Sequence, residues 1–171
     1  MKDELRPYLC TMAESLYVDL NQDRASIYSS LYPQMKALIE GETHPVANMA
    51  NFCAVLKSVF DWHWIGFYTV IGDELVLGPF QGPIACTRLY KGKGVCAAAW
   101  ESKSAVLVDD VEAFPGHVAC SSFTQSELVI PLFDGAGEVW AVLDLDSTEL
   151  AGFDDLDRVE LEKMLQLIPA P

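Results

Sequence analysis

Apolar residues in the first part of the chain recur every three or four positions, which is the spacing of one helix face. This pattern predicts a helix over residues 23–40 with Asp23 as its N-cap, then a second helix capped by Thr43. The predicted apolar face of the second helix consists of Val46, Met49, Ala50, Cys53, Leu56 and Val59 or Phe60. A comparable spacing predicts an N-terminal helical extension over residues 1–20. The remaining residues, 21–171, are enough for a single domain.

The period changes to two at Trp62, which is typical of strands whose two faces differ. In the strand that begins there, one face carries Trp62, Trp64, Gly66 and Tyr68, and the other carries His63, Ile65, Phe67 and Thr69. Turn residues at 72–73 predict a hairpin with a second strand at 74–77. Further strands are predicted at 105–108, 127–133 and 138–144, the last two joined by a glycine-rich turn. Helices are predicted at 94–102 and after Asp154.

The order of these elements is helix, helix, strands, one crossover helix, strands and a final helix. A parallel doubly wound sheet is built from repeated βα units, and the pattern contains no such repeat. The sequence therefore predicts an α+β protein in which helices pack on an antiparallel sheet.

Composition narrows the classes of function open to such a domain. The chain has 171 residues, half of them apolar, and a formal net charge of −14. Nucleic acids and anionic membranes bind clustered Lys and Arg side chains, so this charge argues against both as partners. No apolar run approaches the roughly 18 residues that span a bilayer, and the charged N-terminus lacks the core of a signal peptide. We therefore expect a cytoplasmic protein whose five cysteines are kept reduced.

Three of those cysteines, Cys86, Cys96 and Cys120, fall within a glycine- and proline-rich stretch at residues 78–122. Loops of this composition often carry catalytic or binding residues. Cys96 lies at the start of a predicted helix, where free backbone N–H groups favour the thiolate form. Cys120 follows a predicted turn and is expected to be accessible. Redox chemistry is one interpretation of these thiols, and burial as small apolar side chains is another.

Zinc binding is a third interpretation of the same stretch. Four ligands could come from Cys86, Cys96, His117 and Cys120. However, neither segment carries the short C-x2-C knuckle that is usual in structural zinc sites. The spacing therefore favours redox chemistry over a structural metal.

Acidic residues in two predicted strands could complete a reactive site. Asp144 and Asp146 are two positions apart and point to one face if the strand continues through both, and Glu127 opens another strand. Carboxylates that share a site raise at least one pKa, which supplies a proton donor or an anchor for an ammonium group. Trp64 and Tyr68 share a strand face and could form ordinary core or line a pocket for a thioether or a cation.

Six segments in this order resemble the free methionine-(R)-sulfoxide reductases, small proteins of the GAF fold. The segments are WIGFY, LGPFQGPIACTR, GKGVCAAAW, FPGHVACSS, SELVIPL and VLDLDS. The resemblance covers roughly residues 23–168. It implies a GAF-like fold with a central antiparallel sheet of about six strands, the N- and C-terminal helices on one face, and loops plus a short helix on the other. It also implies that residues 21–171 form one catalytic domain.

The resemblance implies Cys120 as the nucleophile and Cys86 or Cys96 as the resolving thiol. It maps the substrate pocket onto Trp64, Tyr68, Glu127, Asp144 and Asp146. The reaction needs an acid near the sulfoxide oxygen, and we expect one of Glu127, Asp144 or Asp146 to hold or deliver that proton, with Glu127 and Asp144 as the catalytic candidates. The remaining carboxylates are expected to bind the substrate ammonium group. The implied reaction reduces free methionine-(R)-sulfoxide through sulfenic acid and disulfide intermediates, with thioredoxin as the electron donor. No metal or organic cofactor is implied. Two positions depart from the family pattern, because Ser121 replaces a frequent Asp and Ala97 a frequent Gly.

A non-catalytic GAF module that binds a small molecule for signalling is the main alternative. Against it, the chain carries no effector domain, and a sensory module does not need three loop thiols. A homodimer is one possible assembly, and the sequence does not decide between it and a monomer.

Overall fold

A computed structural model describes residues 16–118 and 121–171 of the chain. The described helices are α1 (Arg24–Ile39), α2 (Pro45–Val59), α3 (Gly94–Ser102) and α4 (Asp155–Leu165), with a short 3-10 helix at Val111–Ala113. The described strands are β1 (Trp64–Ile71), β2 (Glu74–Gln81), β3 (Arg88–Tyr90), β4 (Val106–Val108), β5 (Ser126–Phe133) and β6 (Val139–Ser147). These strands form one antiparallel sheet in the order β3-β2-β1-β6-β5-β4. The predicted α+β class and antiparallel sheet are confirmed.

Helix α1 begins where its cap predicts, because the Asp23 carboxylate accepts a hydrogen bond from the Ser26 backbone N–H at 2.9 Å. The cap predicted for α2 is wrong. His44, not Thr43, is the N-cap residue, and Pro45 occupies the first turn, where its missing N–H costs nothing.

The apolar face predicted for α2 is only partly correct. Met49, Cys53 and Leu56 are buried as expected, whereas Val46 and Ala50 are exposed. Their places in the core are taken by Asn48, Phe52 and Val55. The apolar spacing of the sequence is compatible with both faces, so the sheet against which the helix packs decides the choice.

Two strands of the sheet, β2 and β6, are longer than the alternating apolar pattern of the sequence predicts. Strand β2 continues to Gln81 through Gly78 and Pro79, and β6 continues to Ser147, which brings Asp146 within the strand. Strand β3 lies in the glycine-rich stretch and carries no alternating signal, so it was not predicted. The turn at residues 134–137 joins β5 and β6 as expected.

Each face of the sheet carries its own apolar core. Helices α1, α2 and α4 pack on one face against β-strand residues that include Ile65, Phe67 and Leu143. The short helix α3 packs on the other face, against residues of β1 that include Trp64 and Tyr68. This two-sided arrangement confirms the predicted placement of the helices.

Trp62 was predicted to share a face with Trp64, and this is wrong. The strand begins only at Trp64, so the alternation does not reach back to Trp62. Its ring stacks on Phe60 with centroids 4.3 Å apart and packs against Phe153 in the helix-side core.

Residues 1–15, which make up most of the predicted N-terminal helical extension, lie outside the described residues. The part that is described, residues 16–20, forms irregular chain leading into a turn rather than helix. In the described part of the chain, no helix combines the length and the apolar character needed to cross a membrane.

Candidate active site

Three acidic side chains meet on one face of the sheet because of the pairing between β5 and β6. Glu127 on β5 lies directly opposite Asp146 on β6, and Asp144 follows two positions away on the same face. Glu127 and Asp144 are buried, with only 6% and 7% of their surfaces exposed, and Asp146 is partly buried. The register therefore concentrates negative charge where the side chains have little water.

Burial and mutual repulsion set the protonation of these acids. Burial raises the pKa of Asp144 from an ordinary 3.8 to about 6, although hydrogen bonds with Cys96 and Glu127 oppose the rise. Burial, followed by the charge on Asp144, raises the pKa of Glu127 and of Asp146 well above the ordinary range. The three acids therefore compete for protons, and burial favours their protonated forms. The cluster can thus hold a proton beside a carboxylate.

Cys96 joins this cluster from the third residue of helix α3. Its sulfur, a Glu127 oxygen and an Asp144 oxygen all lie within 4.8 Å of one another. The sequence predicts that Cys96 is a thiolate, and this prediction is wrong. Burial raises the pKa of the Cys96 thiol well above its ordinary value, and the charges of Asp144 and Glu127 raise it further. These effects outweigh the favourable field of a helix N-terminus, so Cys96 is a protonated thiol here.

Trp64 and Tyr68 form the wall beside the acids and also hold a loop in place. The indole N–H of Trp64 donates to the Pro83 carbonyl at 3.1 Å, and the Tyr68 hydroxyl donates to the Cys86 carbonyl at 3.0 Å. Trp64 stacks between Tyr68 and Phe80, with ring centroids 5.9 and 5.5 Å away. Both aromatic residues are buried in the core and also line a cavity, and a pocket for a thioether or a cation stays a prediction.

The two described cysteines of the glycine- and proline-rich stretch are in different surroundings. Cys86 is a partly exposed free thiol in the loop tied by the two aromatic residues, whereas Cys96 is a buried free thiol. Cys120, the expected nucleophile, lies outside the described residues together with Ala119. Its neighbour Ser121 is described and lines the same cavity as Trp64 and Tyr68.

Two further site residues were missed at the level of sequence. His63 Nε2 and Ser121 Oγ lie within hydrogen-bond distance at 3.1 Å, across 58 positions of the chain. Thr124 forms a hydrogen bond with Asp146 that opposes part of the rise in its pKa. Strand alternation places His63 on the face opposite Trp64. However, β1 begins only at Trp64, so the alternation does not apply to His63, and no local signal identifies His63 as a site residue.

Two cavities meet at this cluster of acids. One, of about 260 Å³, is lined by His63, Trp64, Tyr68, Pro83, Ile84, Ala85 and Ser121. The other, of about 380 Å³, is lined mainly by residues of the α3 side, including Cys96, His117, Val118, Thr124 and Glu127. Asp144 and Asp146 line both. A ligand in this region can therefore contact an aromatic wall, buried acids and a thiol at the same time.

Comparison with known proteins agrees with this geometry. The GAF domain family matches residues 49–168. Free methionine-R-sulfoxide reductase of Saccharomyces cerevisiae is 35% identical over 164 residues, covering 91% of each chain. The Escherichia coli protein of the same name is 40% identical over 144 residues, covering 84% of this chain and 87% of that one.

Among solved structures, the chain is similar to free methionine-R-sulfoxide reductase from Neisseria meningitidis in complex with its substrate. The two share 47% identity and superpose with a TM-score of 0.86, over 90% of this chain and 92% of the other. These matches extend over nearly the whole length of the relatives. The chain therefore belongs to the free methionine-R-sulfoxide reductase family of GAF-domain proteins.

Proposed function

We propose that this protein reduces free methionine-(R)-sulfoxide to methionine and that its own cysteines carry the electrons. The observation that supports this most directly is the buried cluster of Glu127, Asp144 and Asp146 beside an aromatic wall. A free amino-acid sulfoxide brings an ammonium group, a polar S–O group and an apolar thioether end. The cluster and the wall offer a complementary group for each of them.

The first step transfers the sulfoxide oxygen to a cysteine. The thiolate of Cys120 attacks the sulfoxide sulfur while an acid protonates the oxygen, the S–O bond breaks, and methionine leaves. The cysteine carries the oxygen away as sulfenic acid, so the substrate sulfur gains the electron pair that Cys120 loses. Because burial raises the pKa of Glu127 and of Asp146 and so favours their protonated forms, we assign the proton donation to this pair.

Asp144 has a different role in this proposal. Hydrogen bonds with Cys96 and Glu127 favour its ionised form, and its Oδ1 atom is buried with no hydrogen-bond partner among the described residues. A buried carboxylate oxygen without a partner favours a cationic ligand. We therefore assign Asp144 to the substrate ammonium group, and Trp64 to the thioether end.

The second step converts the sulfenic acid into a disulfide and releases water. Cys86 is better suited to this step than Cys96, because its thiol is partly exposed and lies in a loop, and thiol exchange requires access. Cys96 is buried among acids that oppose its ionisation. We propose Cys86 as the resolving thiol and thioredoxin as the dithiol that reopens the disulfide by exchange, in the reducing cytoplasm. The catalytic unit in this proposal is residues 21–171, with residues 1–20 as an extension.

Separate assays of the two epimers test the function. Purified, reduced protein is supplied with thioredoxin, its reductase and NADPH, and with either the R or the S epimer of free methionine sulfoxide. We expect NADPH consumption with the R epimer alone, and none from Cys120→Ser. Wild-type protein that binds the R epimer without turning it over would support the sensory alternative instead.

The choice of resolving thiol is tested by single-turnover reactions without thioredoxin. Cys86→Ser should release methionine at the wild-type rate and accumulate sulfenic acid, which a nucleophilic dione traps. Cys96→Ser should form the disulfide as wild type does. Sulfenic acid accumulating in Cys96→Ser but not in Cys86→Ser would reverse the assignment.

A further inference from the structure

Four side chains with metal-binding chemistry converge in the α3-side cavity. The ligand atoms of Cys96, Glu127 and Asp144 lie within 4.8 Å of one another, and all three residues are buried. His117 Nε2 lies 3.7 Å from Glu127 Oε2, and His117 lines the same cavity. Across residues 16–118 and 121–171, no other group of three His, Cys, Asp or Glu side chains is so arranged. Lys93 and the exposed Val118 also line this cavity, so it opens to solvent and a small ion can enter.

A second observation points to a cation at this position. The Oδ1 atom of Asp144 is fully buried and has no hydrogen-bond partner within the described chain. Buried charged groups in folded proteins are normally paired or coordinate a metal. The sheet holds Asp144 rigidly in the centre of paired strands, so its carboxylate cannot turn outward to water. Asp144 Oδ1 therefore lacks a cationic partner among the described residues, although His117 lies near Glu127.

We propose that Zn²⁺ binds to Cys96, Glu127 and Asp144, with His117 as the fourth ligand, and inhibits the protein by occupying the substrate site. A set of one thiolate, one imidazole and two carboxylates suits zinc, whereas Mg²⁺ and Ca²⁺ prefer oxygen ligands alone. Tetrahedral zinc places its ligand atoms about 3.3 to 3.8 Å apart. The separation of 3.7 Å between His117 and Glu127 lies in that range, and the other three ligand atoms are within 4.8 Å of one another before any ion binds. Zinc binding displaces the proton of the Cys96 thiol and any proton shared by the acids, and the two carboxylates and the thiolate then neutralise the charge of the ion.

Zinc and the sulfoxide would exclude each other because both use the same acids. The zinc site itself follows from the cluster alone. Only the competition with substrate rests on the proposed function, in which Asp144 holds the ammonium group and Glu127 donates a proton. This zinc site differs from the one that the sequence allowed, since two carboxylates replace Cys86 and Cys120.

Cobalt(II) spectroscopy tests the site without any turnover. Co²⁺ is titrated under argon into full-length, reduced, metal-free protein, and zinc is then added to displace it. We expect one equivalent of Co²⁺ to produce a thiolate-to-cobalt band in the near ultraviolet and the visible bands of a tetrahedral ion. Zn²⁺ should bleach these bands in the wild-type protein. Free methionine-(R)-sulfoxide should bleach them in Cys120→Ser, which keeps all four proposed ligands and cannot turn the substrate over.

Matched variants identify the ligands. Cys96→Ser should lose the thiolate band, whereas Cys86→Ser, which removes another thiol of the same region, should keep it. Asp144→Asn should weaken binding by more than the roughly 10- to 100-fold that loss of an outer-shell partner costs. Circular dichroism confirms that each variant is folded, and the His117→Ala titration gives a second test of the same ligand set.

Two results would overturn the zinc site. One is a wild-type protein without the thiolate band. The other is a band that survives in Cys96→Ser and disappears in Cys120→Ser, because the metal would then bind the loop thiols. An active enzyme that shows either result keeps its proposed function, so the two proposals fail separately. If the spectra appear and the sulfoxide does not bleach them, the zinc site stands without competition, and the inhibitory part of the proposal is wrong.

Discussion

Asp144 has the same covalent structure as the exposed acids that give this chain its net charge of −14. Its pKa nevertheless rises to about 6, because the sheet buries its carboxylate beside Glu127 and the Cys96 thiol. In the folded protein this carboxyl binds its proton more tightly than in the unfolded chain. Its favourable contribution to folding is therefore present below the unfolded pKa near 3.8 and is lost as the pH rises to about 6.

Asp144→Asn is expected to stabilise the substrate-free protein at pH 7 and to remove most of its activity. The amide carries no charge to desolvate, and one pKa unit corresponds to about 1.4 kcal/mol, so we expect a gain of about 1–3 kcal/mol. Urea unfolding at pH 4 and pH 7 measures the effect, which should be present mainly at pH 7.

The exposed Asp61 provides the control for this change. Asp61→Asn removes the same charge from a fully exposed carboxylate, and its effect on stability should be small at both pH values. The free energy of unfolding of the wild type should fall between pH 4 and pH 6 relative to that of Asp144→Asn. If it does not, the pKa of Asp144 is not raised in the folded protein.

Gly66 is the second residue on which the site depends. A methyl group there would overlap the Trp64 ring and the Phe80 Cβ atom. Gly66→Ala should therefore displace the aromatic wall, raise KM for the sulfoxide and cost about 1–3 kcal/mol of stability, as overpacking does. Gly135→Ala is the matched control, since its added methyl meets nothing within 4 Å. Equal kinetics for the two variants would show that Trp64 does not contact the substrate.

At the scale of elements, the site is assembled by segments that are far apart in the chain. His63 lies between α2 and β1, and its backbone N–H donates to the Asp146 carbonyl at 2.9 Å, which extends the ladder between β1 and β6. Its ring meets the Ser121 hydroxyl, which also accepts a hydrogen bond from the Phe123 backbone N–H at 3.2 Å. The start of β1 thus anchors the turn that directly follows Cys120 in the sequence.

A double-mutant cycle measures this anchor. His63→Ala and Ser121→Ala should each lower kcat several-fold with little change in KM, and the double variant should lose no more than the worse single variant. We expect a coupling of about 0.5–1.5 kcal/mol in transition-state stabilisation, the usual value of one hydrogen bond.

Ser104 is a suitable control for that cycle, since its exposed hydroxyl pairs with Ser102 away from the site. Ser104→Ala alone should leave kcat unchanged. Combined with His63→Ala, it should give the same kcat as His63→Ala alone. Full additivity of the His63 and Ser121 effects would show that their contact does not position the loop.

At the scale of the whole molecule, the two faces of the sheet have different roles. One face carries a hydrogen-bond network that stabilises the fold, and the other carries the candidate active site. On the helix side, the buried Asp157 of α4 accepts hydrogen bonds from the Tyr28 hydroxyl at 2.8 Å and from Arg24 at 2.6 Å. The same carboxylate accepts from the Asp154 backbone N–H and completes a capping box. This network joins the first and last described helices on the face opposite the carboxylate cluster.

Tyr28→Phe should accordingly destabilise the protein and spare its catalysis. The change leaves a buried charge with one donor fewer, which costs about 1.5–3 kcal/mol. Thermal unfolding should shift downward, while kcat/KM at a temperature well below the transition stays at the wild-type value. Tyr90→Phe, at an exposed tyrosine, should alter neither quantity. A large loss of kcat/KM in folded Tyr28→Phe would contradict the separation of the two faces.

Much of the fold could be predicted because its determinants are local. Helix α3 begins and ends where its pattern indicates, and Asp23 and Asp154 cap the helices that follow them. The errors occur where packing overrides local preference. The buried face of α2 differs from the predicted one, and β3 forms in a stretch without alternation because β2 lies beside it.

The sequence by itself determined the α+β class, the order of the elements, and the types of side chain available for chemistry. Its motifs also indicated the family. Only the tertiary structure decided which of these side chains meet and how they ionise. Glu127 and Asp146 become neighbours through strand register, and burial turns the expected thiolate of Cys96 into a protonated thiol. Periodicity and capping depend on residues a few positions apart, whereas a pKa depends on every charge and on all the water excluded around the group.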